Sequence, residues 1–215
     1  MGRRWRCCSK PVLNHEKGIV VLNVKITRGF TLIELMITLA VLALLLSLGV
    51  PTFSKIIHNA QVRSVAEALQ NGLRLAQNEA VRHSHQTAFV LTNDPPGLNA
   101  TAIANGKNWS IQIVPRPGET AEYVQGGSFG NQAAGVTITS ETYVLCFNPI
   151  GRPVTIASTG LGPCTASMVG IPTTFVVANA GADRSLQLQV SAGGKIRMCD
   201  ASVPLSTRRP DDCSS

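Results

Sequence analysis

The stretch Arg28-Gly29-Phe30-Thr31-Leu32-Ile33-Glu34-Leu35, with the apolar run that follows it to Val50, decides the architecture of this 215-residue chain. From Phe30 to Val50 there are 21 residues, all apolar, small or hydroxylic except Glu34. A helix needs ~20 such residues to span the hydrocarbon core of a bilayer, so the run is predicted to be a transmembrane helix. Glu34 is then the anomaly, because a carboxylate within the membrane costs on the order of 2.5–3.5 kcal/mol on insertion scales. Such a residue calls for a partner. A cut between Gly29 and Phe30 supplies one: the new ammonium at Phe30 lies one helical turn from Glu34, or near the Glu34 of a neighbouring copy, and the charges neutralise each other. A plain anchor whose Glu34 snorkels to the interface leaves the Gly-Phe junction unexplained.

Gly29, Phe30 and the Thr31-Leu32-Ile33-Glu34 that opens the apolar helix resemble the precursors of the type IV pilin and pseudopilin family. The resemblance implies that a prepilin peptidase cuts after Gly29 and methylates Phe30. It also implies that Glu34 guides assembly with other major and minor pilins or pseudopilins into a filament.

Charge is distributed to match. The formal net charge is +7, but residues 1–29 hold seven Lys or Arg against one acid, Glu16, and so contribute +6 of it. The basic balance therefore describes a cytoplasmic leader over 1–29, and any cationic binding surface beyond it must be local. By the positive-inside rule the part after Val50 is expected in the periplasm, with the anchor in the bacterial inner membrane. Cys7 and Cys8 fall in the leader.

The helical pattern is expected to continue over 51–85, bent or loosened at Pro51, with Val62, Val65, Ala66, Leu69, Leu73, Ala76 and Ala80 forming one apolar face. From 86 to 215 the texture changes to short β-prone runs separated by Gly, Pro and Asn. The predicted strands are 87–92, 109–114, 136–139, 143–147, 153–157, 173–177, 185–190 and 195–199, with Gly193-Gly194 as a hairpin turn. Residues 93–97, 126–130 and 159–163 read as loops. The fold class is therefore α+β: a long N-terminal helix, its first half transmembrane, packed on an antiparallel sheet domain of about seven or eight short strands.

Several later segments are similar to the minor pilins of the GspH and FimT type: residues 75–82 of the helix, the strand of Trp109, residues 147–153, and the final pair ending Gly194-Lys195-Ile196-Arg197-Met198-Cys199. That resemblance implies a place at or near a filament tip, in a type IV pilus or in the pseudopilus of a type II secretion system.

Four cysteines follow the anchor, Cys146, Cys164, Cys199 and Cys213. In an oxidising compartment an even number points to two disulfides. Of three connectivities, Cys146–Cys164 with Cys199–Cys213 closes the shortest loops. A zinc site competes weakly, since there is no Cys-x-x-Cys and His58, His83 and His85 lie far from the cysteines in sequence. No nucleophile elbow, phosphate loop or His-Glu-x-x-His is present. The chain reads as a non-enzyme without cofactor or metal.

Gly194-Lys195-Ile196-Arg197 is the sharpest binding candidate. On a strand Lys195 and Arg197 share a face while Ile196 points to the core. Arg184, Arg208 and Arg209 are expected to join them if Cys199–Cys213 folds the tail back. Cations so placed contact phosphates without reading bases. The FimT group carries a Gly-Arg-x-Arg motif here that is associated with binding double-stranded DNA for uptake in natural transformation. Lys195 replaces the first Arg of that motif and keeps the charge without the bidentate fork. The alternative is a GspH-like pseudopilin with no DNA binding, whose Lys195 and Arg197 are a solvated strand face.

Overall fold

The computed structural model describes residues 29–130, 134–157, 159–166, 171–202 and 213, without the side chains of residues 48–52. The chain divides into one compact unit ending at Leu44 and a second beginning at Leu45, and a single helix, α1 (Leu32–His83), contributes to both. Helical backbone is continuous through Pro51. Pro51 therefore does not end the helix, although it removes one backbone hydrogen bond there. Among the described residues no helix is long and apolar enough to cross a membrane; the described side chains of the 30–50 run stop at Ser47.

In the first unit α1 opens with a cap. Thr31 Oγ1 accepts the Glu34 N–H at 3.2 Å and the Thr31 carbonyl accepts the Leu35 N–H at 3.2 Å. Thr31 is therefore the N-cap and Glu34 the third helical residue, the Thr-x-x-Glu spacing of a capping box. Beyond it Leu32, Ile33, Leu35, Met36, Ile37, Leu39, Val41, Leu42 and Leu44 are all exposed.

In the second unit α1 ends on a Schellman turn. The His85 N–H reaches the Ala80 carbonyl, the Ser84 N–H reaches that of Val81, and Ser84 takes φ 53°. This satisfies two of the last carbonyls of the helix. Among the described residues nine strands follow: β1 (Thr87–Thr92), β2 (Asn108–Ile113), β3 (Glu122–Ser128), β4 (Val136–Ser140), β5 (Val144–Phe147), β6 (Pro153–Val154), β7 (Thr173–Asn179), β8 (Leu186–Val190) and β9 (Ile196–Asp200). They form two antiparallel sheets, in the orders β3-β2-β1-β5-β6 and β4-β7-β8-β9.

The apolar face predicted for the helix is the core. Val62, Val65, Ala66, Leu69, Leu73, Ala76 and Ala80 are buried against Phe89, Leu91, Trp109, Ile111, Leu145 and Phe147 of the first sheet. They also pack with Phe175, Val177, Leu188, Val190 and Ile196 of the second. A smaller cluster on the other face of the first sheet contains Ala88, Val90, Val144, Leu161 and the Cys146–Cys164 disulfide. β1 is thus buried on both faces.

The strand that the sequence did not reveal is β3. Residues 126–130 were expected to be a loop, yet Gly126, Gly127 and Ser128 complete β3, with Gly127 opposite Trp109. A Cβ on Gly127 would come within 2.8 Å of the Trp109 ring, and one on Gly72 of α1 within 3.3 Å. Glycine stands at both places because the indole, stacked on Phe89 at 5.9 Å, occupies the space of a side chain. The 153–157 strand shortens to β6, followed by an isolated bridge between Ile156 and Cys164.

Candidate functional site

Two turns at one end of the sheets share a design. In the β5–β6 turn, Gly151 N–H donates to the Asn148 carbonyl at 2.8 Å, Asn148 N–H donates to the Arg152 carbonyl at 2.9 Å, and Gly151 has φ 74°. In the β8–β9 turn, Gly194 N–H donates to the Ser191 carbonyl at 2.8 Å, Ser191 N–H donates to the Lys195 carbonyl at 3.0 Å, and Gly194 has φ 87°. Each is a three-residue hairpin loop closed by a left-handed glycine, so the two-residue Gly193-Gly194 turn expected from the sequence is one residue longer. Even the side chains correspond. Asn148 Oδ1 accepts the Arg152 N–H at 2.9 Å and Ser191 Oγ accepts the Lys195 N–H at 3.1 Å.

The turns touch. Gln77 of α1 donates from Nε2 to the Gly151 carbonyl at 2.6 Å and to the Gly194 carbonyl at 2.8 Å. A Cβ on Gly194 would overlap the Gly151 carbonyl oxygen. The glycine of Gly194-Lys195-Ile196-Arg197 is thus fixed by its neighbours: it needs a positive φ and has no room for a side chain.

Lys195 is exposed, Ile196 is buried in the core, and Arg197 is half-buried opposite Gln189. Lys195 and Arg197 therefore leave from the same face of the hairpin. Arg184 does not join them. The pairing of Leu186 with Asp200 puts Arg184 at the other end, opposite position 202. That is about 23 Å from Lys195 at ~3.3 Å per residue. There its Nε lies 3.9 Å from Oδ2 of the buried Asp200. The convergence expected of Arg184 is corrected by this register. Arg208 and Arg209 lie outside the described residues.

Disulfides join Cys146 to Cys164 and Cys199 to Cys213, with Cα atoms 5.6 and 5.1 Å apart. Gln189 Nε2 donates to the Cys213 carbonyl at 3.1 Å, so the tail is tied to β8 as well as, through the disulfide, to β9. Among the described residues no group of three or more His, Cys, Asp or Glu could hold a metal ion. The histidines have other contacts: His58 faces Gln61, His83 lies 3.3 Å from Glu79, and His85 lies 3.0 Å from Glu119.

Gly29 and Phe30 precede the capped helix and Phe30 is exposed, with Glu34 in the first turn. Sequence reasoning missed Thr31 as the cap, although Thr-x-x-Glu ahead of an apolar run is its signature. It also left Gln77 and Arg152 unassigned. Gln77 carries no signal in sequence, since its partners are far along the chain.

Residues 25–50 match the profile of the prokaryotic N-terminal methylation motif, and residues 65–194 match that of type II transport protein GspH. No curated protein matches. Similar solved structures include the type IV minor pilin FimU of Pseudomonas aeruginosa, at 22% identity over 72% of this chain and 96% of that one, with a TM-score of 0.45. Another is the minor pseudopilin EpsH of the Vibrio cholerae type 2 secretion system, at 11% identity over 65% and 97%, with a TM-score of 0.43. A third is E. coli GspH, at 14% over 71% and 95%, also with a TM-score of 0.43. With the GspH profile covering more than half of its length behind a methylation motif, this chain belongs to the type II transport protein GspH family of pilins and pseudopilins.

Proposed function

We propose that this chain is a minor pilin or pseudopilin, cut between Gly29 and Phe30 by prepilin peptidase, methylated at Phe30, and packed with other pilins at or near a filament tip. Before assembly residues 30–50 hold it in the bacterial inner membrane with its β-rich domain in the periplasm. The observation that carries the reading is the order of the two matched regions, a methylation motif over 25–50 ahead of a GspH domain over 65–194. The row of exposed apolar residues from Leu32 to Leu46 supports it. Such a surface needs apolar surroundings, first lipid and then neighbouring helices. Replacing Glu34 with Val should leave the protein folded and cleaved but absent from sheared filaments. Normal incorporation would remove Glu34 from assembly.

The second part of the proposal is that Lys195 and Arg197 bind the phosphates of duplex DNA. Two cations on one strand face, with Ile196 anchoring the strand, give a sequence-independent contact. The rival is a type II secretion pseudopilin that binds no DNA, and the pairing of Arg184 with Asp200 favours it by removing one cation from the group. Anisotropy of labelled duplex DNA decides: the Lys195→Ala/Arg197→Ala variant should lose binding if the first reading holds, and the intact protein should show none under the second.

A further inference from the structure

We infer that Arg152 is a third cation of the same phosphate-binding face, set beside Lys195 by the pairing of the two hairpin turns. The inference rests on the DNA-binding reading above and adds a residue from the other sheet. Arg152 and Lys195 occupy the same place in matched turns: each follows a left-handed glycine, returns its carbonyl to the residue four positions back, and donates its N–H to that residue's side chain. The bridging carboxamide of Gln77 and the direct contact of Gly194 with the Gly151 carbonyl make the two glycines neighbours. Each cation is the next residue after one of them, so both leave from adjoining backbone. Both are exposed, and among the described residues neither is in an ion pair with a carboxylate. Like charges held together on a scaffold repel one another unless an anion lies between them. A phosphodiester chain, with a charge at every step, suits cations offered from two turns and from Arg197 one strand step on. Gln77 is a positioning residue in this arrangement and touches no ligand.

The test uses the peptidase-processed full chain in neutral detergent micelles, which excludes the leader's charges, with a labelled DNA duplex and a salt series. Three phosphate contacts give a log–log slope of about −2.7, at about −0.9 for each contact. Arg152→Ala should reduce it to about −1.8 and weaken binding about eightfold at 0.1 M salt, taking 1 M salt as the reference. Arg152→Lys should restore most of both. A purely structural role for Arg152 would shift affinity through folding and leave the slope of the folded protein unchanged. If Lys195→Ala/Arg197→Ala loses binding while Arg152→Ala keeps the wild-type slope and affinity, the inference fails and the DNA reading survives. If the intact chain binds no DNA, or binds only anionic lipid vesicles, both fail.

Discussion

Replacing Gly194 with Ala should destabilise the domain by about 2–5 kcal/mol, and the same change at the adjacent Gly193 should not. At Gly194 the φ of 87° costs an L-residue about 1–2 kcal/mol. The new methyl would also overlap the Gly151 carbonyl oxygen, and making room in a packed site costs about 1–3 kcal/mol more. The oxygen cannot retreat freely, because Gln77 Nε2 holds it at 2.6 Å. Gly193 has no such constraint: among the described residues the one atom near a Cβ there is Ser191 Oγ at 3.8 Å. Its replacement should stay within about 0.5 kcal/mol of neutral. Trp109 is the one tryptophan after the leader, buried and stacked on Phe89, so its fluorescence reports urea unfolding directly. With a slope of roughly 2 kcal/mol per M, Gly194→Ala should lower the midpoint by about 1–2.5 M. Equal midpoints for the two variants would refute the idea that Gly194 is in place for packing, and would leave the motif's glycine without a structural cause.

Other consequences are open to similar measurement. Replacing Cys199 and Cys213 with Ser opens a loop with a sequence separation of 14 and should cost about 3 kcal/mol in a chain-entropy account, read as a lower urea midpoint under oxidising conditions. Ser84→Gly should raise stability by about 0.5–1 kcal/mol, because Ser84 holds a left-handed φ of 53° at the helix C-terminus. Glu119 is held below its ordinary 4.5 by the hydrogen bond from His85 and then by the Arg116 N–H. A depressed carboxylate contributes stability that is present above its unfolded pKa and lost as pH falls through the folded one. Unfolding midpoints of wild type should therefore drop on acidification below about pH 4.5, and Glu119→Gln should flatten part of that drop.

The helix and its buried face were legible in sequence because their period is local: Val62, Leu69, Leu73 and Ala76 mark the core whatever lies opposite. The strand at Thr87–Thr92 was legible for the same reason, as a short β-prone run with clear ends. What failed was anything whose cause lies across the fold. Gly126 and Gly127 look like a loop until the Trp109 ring is placed over Gly127 and the Trp109 carbonyl and Pro96 against Gly126. Arg184 looked adjacent to Lys195 because hairpin neighbours were inferred without register, and pairing Leu186 with Asp200 sends it to the far end. Arg152 went unnoticed because its relation to Lys195 passes through Gln77, 74 residues from Gly151 and 117 from Gly194.

The most direct test of the central claim is the N-terminal mass of the protein purified from membranes of cells that carry the peptidase. The account predicts a chain that begins at Phe30, bears one added methyl group, and is shorter by about 3 kDa at roughly 110 Da per residue. Gly29→Ala should retain the leader. A wild-type chain still carrying residues 1–29, or cut at another bond, would contradict the assignment of Gly29 and Phe30 and, with it, the route by which Glu34 gains its partner.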